Sequence, residues 1–186
     1  MGLHSLRQHI SVIPQVPFLF RGTIRQNIDP FGTSTAETIW EVLREAGLEE
    51  HVKSLPDELE TELSSSSESF SVGQKQLLCL ARALLRRNKF LVLDEATSNV
   101  DMKTDAFIQK VIREKFTKTT VITIAHRLNT IADYDKVLVM RKGEVVEQGN
   151  PWQLIERKGL FFDMVEHTGK NAESIKRKAK MAQQKG

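Results

Sequence analysis

The chain has 186 residues, 40% apolar and 27% charged, which excludes a disordered or fibrous polypeptide and suits one medium domain. The single cysteine, Cys79, excludes an internal disulfide and a four-cysteine zinc site, and reads as a small buried apolar residue. The net charge of +3 is a poor average: Lys170, Lys176, Arg177, Lys178, Lys180 and Lys185 stand against Glu173 alone in the last stretch, which leaves the body near neutral and gives no ground for a nucleic-acid partner.

No apolar run approaches the ~20 residues of a membrane helix. The run from Leu77 to Leu85 is broken by Arg82, and His4, Arg7, Gln8 and His9 interrupt any leader-like stretch. Ile10 to Ile13 is β-branched and ended by Pro14, a strand that delivers Gln15 to a loop. Pro17, Gly22, Pro30 and Gly32 punctuate an irregular stretch. Ser34 and Glu37 have capping-box spacing ahead of a helix carrying Ile39, Val42, Leu43 and Ala46, with Gly47 as its stop. A short helix over Leu48 to Ser54 follows, and Ser64 to Ser67 reads as a surface loop. A longer helix begins near Gly73 and buries Leu77, Leu80, Ala81 and Leu84.

Phe90-Leu91-Val92-Leu93 is a continuous apolar run, expected as a strand buried on both faces, with Asp94 and Glu95 at its end. A helix over Thr104 to Glu114 and a second buried strand over Thr119 to Ala125, ending at His126, come next. Lys136 to Met140 and Glu144 to Gln148 form an expected hairpin around Arg141-Lys142-Gly143. Short helices over Trp152 to Arg157 and Leu160 to Glu166 precede a solvated basic tail. Alternating strands and helices indicate an α/β sheet, and polar residues past the C-terminal strand ends stand where such sheets bind ligands.

Asp94 can hold Mg²⁺ near phosphate, and Glu95 can polarise a water. Ser71 and Gly73 open a helix, where backbone N–H groups and the helix dipole favour anions; Ser71 also reads as a plain N-cap. Taken with Gln15 and His126, these residues resemble the ATP-binding-cassette (ABC) family. Gln15 is similar to its Q-loop, Ser71-Val72-Gly73-Gln74 to its signature, Asp94-Glu95 to the Walker B end, Ser98-Asn99-Val100-Asp101 to the D-loop and His126 to the switch histidine. Three segments, Thr23 to Phe31, Gln76 to Leu85 and Val121 to Leu128, resemble the second cassette of the C subfamily, the multidrug-resistance-associated transporters.

The resemblance implies a partial P-loop NTPase-type ABC ATPase domain, α/β in class, with a parallel sheet core and an α-helical signature subdomain. It implies ATP and Mg²⁺ as cofactors, with Gln15 and Asp94 at the metal, Glu95 and His126 catalytic, and Ser71, Val72, Gly73, Gln74 and Asp101 at nucleotide. The expected partners are a second cassette in a head-to-tail dimer and the transmembrane domains of a transporter, on the cytosolic face of a membrane. Expected divisions are residues 1–20 for the strand and Q-loop, 21–88 for the signature subdomain, 89–167 for the remaining core and C-terminal elements, and 168–186 for a flexible basic tail.

Two departures stand out. No Gly-x-x-x-x-Gly-Lys-Ser/Thr loop is present: Gly169-Lys170 has Met164 and Asn171 at the flanking positions, and the stretch before Gln15 is shorter than the on the order of 25 residues such a unit needs. The expectation is therefore the C-terminal part of a cassette with an exposed sheet edge, inactive by itself, and its alternative is a non-catalytic dimer partner or an inactive product. Val72 replaces the usual first glycine of the signature, where a branched side chain restricts the backbone.

Overall fold

The structure, a computed structural model, describes residues 2, 9–63, 70–96 and 100–184; the serine run Ser64–Ser67 and Ser98-Asn99 lie outside them. Packing divides the chain into two units, residues 1–124 and 125–186.

In the first unit, β1 (Ile10–Ile13) leads through the Gln15 loop to β2 (Gly22–Thr23) and α1 (Ile24–Ile28). Thr23 and Gln26 close a capping box that starts α1. Next comes α2 (Ala36–Glu45), capped by Thr35 one residue after the expected Ser34. The reason is local: the Ser34 N–H donates back to the Asp29 carboxylate at 2.6 Å, which leaves the Thr35 hydroxyl to take the Thr38 N–H. Helix α2 ends as expected at Gly47, whose φ of 71° permits paired bonds from Gly47 N–H to the Arg44 carbonyl and from Leu48 N–H to the Leu43 carbonyl. The short α3 (Glu49–Lys53) and β3 (Glu62–Leu63), antiparallel to β2, complete this helical region.

The central element is α4 (Val72–Arg86), whose Leu77, Leu78, Leu80, Ala81 and Leu84 are buried. It packs against α2, α1 and β1. After it come β4 (Phe90–Asp94), α5 (Met102–Lys115) and β5 (Thr120–Ile124). The sheet is parallel in the order β1-β4-β5, with Val12 level with Val92 and Val92 with Ile122. Helices connect these strands, since parallel neighbours need a crossover rather than a tight hairpin.

Two-sided burial of β4 and β5 does not hold. Leu91 and Leu93 are buried, whereas Phe90, Ile122 and Ile124 are 43, 53 and 54% exposed, as is Val12 at 57%. Side chains alternate across a strand, so α4 and α5 cover one face and nothing among the described residues covers the other. An apolar run lacks alternation, so it cannot announce that only one face is covered.

The second unit holds α6 (Leu128–Ile131), the hairpin β6 (Val137–Arg141) and β7 (Glu144–Gly149), α7 (Pro151–Glu156), α8 (Leu160–Glu166) and α9 (Ala172–Gln183). Phe161, Val165, Leu154 and Val139 form its core. The Glu147 carboxylate accepts the N–H groups of Leu160 and Phe161 at 2.6 and 2.9 Å, which ties the hairpin to the start of α8. Where a flexible tail was expected, α9 is docked: Ala172, Ile175 and Ala179 recur at helical spacing and are buried. Its cations are largely engaged, Lys176 with Glu166 and Glu173, Lys178 with Asp133, and Lys180 over Trp152.

Candidate functional site

The C-terminal ends of β1 and β4 bring Gln15 and Glu95 together. Gln15 Nε2 donates to Glu95 Oε2 at 2.9 Å, across 80 residues of sequence. Glu95 leaves the strand with φ of 44°, a left-handed conformation uncommon outside glycine, and its N–H donates to the Ile124 carbonyl at 3.0 Å. Backbone strain of this kind concentrates at functional sites. Asp94 ends the same strand and is exposed. With Gln15 Nε2 committed to Glu95, its amide oxygen and the Asp94 carboxylate are hard oxygen donors suited to Mg²⁺. No cluster of three or more His, Cys, Asp or Glu side chains among the described residues could hold a metal by itself.

Ser71, Val72, Gly73 and Gln74 open α4. The Ser71 hydroxyl accepts the Gln74 N–H at 3.2 Å, and the Gln74 side chain accepts the Ser71 N–H at 2.9 Å. Ser71 is thus an N-cap, and because the hydroxyl acts there as an acceptor its own proton remains a donor for an anion. Val72 is half exposed on the first helical position and is absent from the residues with positive φ, so the backbone there makes no demand for glycine. The glycine that matters is Gly73: an added Cβ would meet Thr104 at 3.3 Å.

Thr104 stands beside Asp101, which caps α5 by accepting the N–H groups of Lys103 and Thr104 and the Thr104 hydroxyl. These bonds, the Thr104 hydroxyl foremost, hold the Asp101 carboxyl below the usual aspartate range. The start of α4 and the start of α5 are therefore neighbours through Gly73 and Thr104. His126 belongs to the second unit, two residues after the end of β5, and is exposed. Cys79 is 3% exposed and burial pushes its thiol up, as a packing residue requires.

Sequence reasoning missed three residues: Thr104, Gln76 and Arg82. Gln76 is 1% exposed and donates to the Pro14 carbonyl at 2.9 Å, next to Gln15. Arg82 Nη1 donates to the Phe18 carbonyl at 2.5 Å, and its Nη2 to Asn27 Oδ1 at 2.7 Å. The signal was present: Gln76 lies four residues before Leu80 on the buried stripe of α4, and a polar residue inside an apolar stripe is the informative exception.

The family profile described as ABC transporter matches residues 2–98, just over half of the chain. The chain belongs to the ABC transporter family. Human ATP-binding cassette sub-family C member 4 is 53% identical over 171 residues, 91% of this chain and 13% of that protein. A probable multidrug resistance-associated protein of Drosophila melanogaster, lethal(2)03659, is 53% identical over 172 residues, 91% of this chain and 12% of that protein. The structure of a bacterial Atm1-family ABC exporter with ATP bound superposes with a TM-score of 0.81 at 33% identity, covering 89% of this chain and 29% of that one. The chain thus spans about an eighth of the length of the curated relatives it matches. Its sequence supports a C-subfamily ABC transporter fragment, and its fold is that of a partial ABC ATPase domain.

Proposed function

We propose that this chain is part of an ATP-hydrolysing cassette that drives export of organic anions or their conjugates through the transmembrane domains of a membrane transporter, on the cytosolic face. The observation that carries the reading is the Gln15–Glu95 hydrogen bond at adjacent parallel strand ends. In this reading Glu95 holds and polarises a water that attacks the γ-phosphorus of ATP. The new P–O bond forms as the bond to the β-phosphate oxygen breaks, and ADP, inorganic phosphate and the proton given up by the water leave. His126 contacts the γ-phosphate, and Gln15 keeps Glu95 aimed. Mg²⁺, held by Asp94 and the Gln15 oxygen, neutralises phosphate charge when bound. Ser71, Val72, Gly73 and Gln74, with Asp101, face the nucleotide of a second cassette in a head-to-tail dimer.

These 186 residues contain no Gly-x-x-x-x-Gly-Lys-Ser/Thr loop, so the phosphate cradle of the Glu95 site lies outside them. That same observation supports the second reading, a non-catalytic piece that only presents the Ser71 surface to a partner. Glu95→Gln in the full transporter separates the two. It keeps shape and the bond to Gln15 but removes the carboxylate, so steady-state hydrolysis is lost while Mg-ATP binding stays near wild type. Wild-type turnover in Glu95→Gln, measured by phosphate release, refutes the catalytic assignment.

A further inference from the structure

Helix α4 holds the Gln15 segment at both ends. At the entry, the buried Gln76 amide donates to the Pro14 carbonyl. At the exit, Arg82 Nη1 donates to the Phe18 carbonyl, Nε to the Asn27 carbonyl and Nη2 to Asn27 Oδ1. The guanidinium lies over the Phe20 ring, 4.9 Å from its centroid, and Phe18 meets Phe20 edge-on at 5.1 Å. Asn27, itself fully buried, closes the frame: its Oδ1 accepts the Phe20 N–H at 2.7 Å and its Nδ2 donates to the Phe20 carbonyl at 2.9 Å. Gln76 and Arg82 are six residues apart, ~9 Å along the helix axis. Between those two anchors Gln15 reaches out of the loop to Glu95.

We propose that Gln76 and Arg82 are positioning residues. They fix the Gln15 loop to α4, so that the aim of Glu95 and the placement of Ser71 at the N-terminus of α4 are set by one rigid body. The proposal rests on the hydrolytic reading of Glu95. Backbone carbonyls are strong, obligatory acceptors, and two such bonds separated by 62 and 64 residues of sequence leave the loop little freedom to drift from the helix. The Arg82 fork reads two carbonyls and an amide at once, a pattern that a lysine cannot reproduce. Their donors are directed at the loop and at Asn27, so each acts through Gln15.

A double-mutant cycle in the full transporter tests this, with Gln15→Ala as the second axis and Glu95→Gln as reference. Gln76→Leu keeps the volume and helix preference but removes the donor. The expected result is a kcat lowered about ten- to hundredfold, the scale of a small misplacement at a reacting centre. KM for ATP stays within about twofold, because binding contacts are untouched. In the Gln15→Ala background the same change has almost no further effect, since the residue being positioned is already gone. Arg82→Lys shows the same loss and the same non-additivity, and carries the test if Gln76→Leu does not fold. Equal fold-losses in both backgrounds, or a raised KM at unchanged kcat, overturn the clamp while Glu95→Gln remains inactive. Wild-type turnover in Glu95→Gln removes the hydrolytic reading and the clamp with it.

Discussion

Ser71 carries two demands on one hydroxyl. As N-cap it accepts the Gln74 N–H, and in the proposed function it donates to phosphate. The two are compatible because a hydroxyl has both a proton and lone pairs. Ser71→Ala removes both, so the isolated chain should lose about 1 kcal/mol of stability, typical of a lost cap, read as a lower denaturant midpoint. In the full transporter the same change should weaken nucleotide retention at the partner cassette by about 10- to 150-fold, the worth of one hydrogen bond to a charged group. It should cost overall turnover much less than Glu95→Gln, because in the proposed head-to-tail dimer Ser71 and Glu95 serve different nucleotides. Single-turnover hydrolysis with nucleotide trapping checks this; equal loss of turnover in both variants, with retention unchanged in Ser71→Ala, contradicts it. At this scale the sequence was legible where chemistry sits at element ends. Gln15, Asp94 and Glu95 each follow a strand and Ser71 precedes a helix. Their pairing was not legible, because the Gln15–Glu95 bond spans 80 residues and depends on the left-handed turn at Glu95.

Elements were legible where periodicity and stop signals agreed. Gly47 ends α2 because only a residue tolerant of positive φ lets Leu48 bond back to Leu43. The corner it forms brings Glu49, at the start of α3, against Arg44 at 2.7 Å and Lys53 at 2.9 Å. Arg44 first, then Lys53, holds the Glu49 carboxyl down to about 2. The folded value lies below the unfolded one, so the contribution of this carboxylate to stability is present above about 4.5 and is lost as pH falls towards about 2. Thermal melts of wild type and Glu49→Gln should therefore differ at neutral pH and converge through that window. A difference that persists unchanged at pH 2 contradicts the assignment. The docking of α9 was hidden for a related reason: its apolar face consists of two alanines and one isoleucine inside a run of cations, too little apolar bulk for the pattern to show.

At the scale of the whole molecule, the even-numbered positions of the three parallel strands share one face. Val12, Val92 and Ile122 lie level across it, and Asp94 is level with Ile124 at the end where Gln15 and Glu95 meet. The face therefore runs from bare hydrocarbon into the candidate site. Fully burying a Val, Ile or Phe side chain is worth about 1.5–3 kcal/mol, so leaving Val12, Phe90, Ile122 and Ile124 half exposed forgoes a large part of what a covered sheet gains. The isolated chain should consequently bind a hydrophobic dye such as anilinonaphthalene sulfonate while keeping its native far- and near-ultraviolet dichroism, which distinguishes a bare native face from a loosened core. Ile122→Thr with Ile124→Thr should lower that fluorescence severalfold without lowering the melting temperature. Threonine keeps the strand preference of a β-branched residue, and neither position contributes to the core under α4 and α5. Dye binding that survives the double substitution unchanged would place the exposed apolar surface elsewhere. A drop in melting temperature equal to that of a core truncation such as Leu91→Ala, which costs about 2–5 kcal/mol of stability, would show that the face is covered in solution.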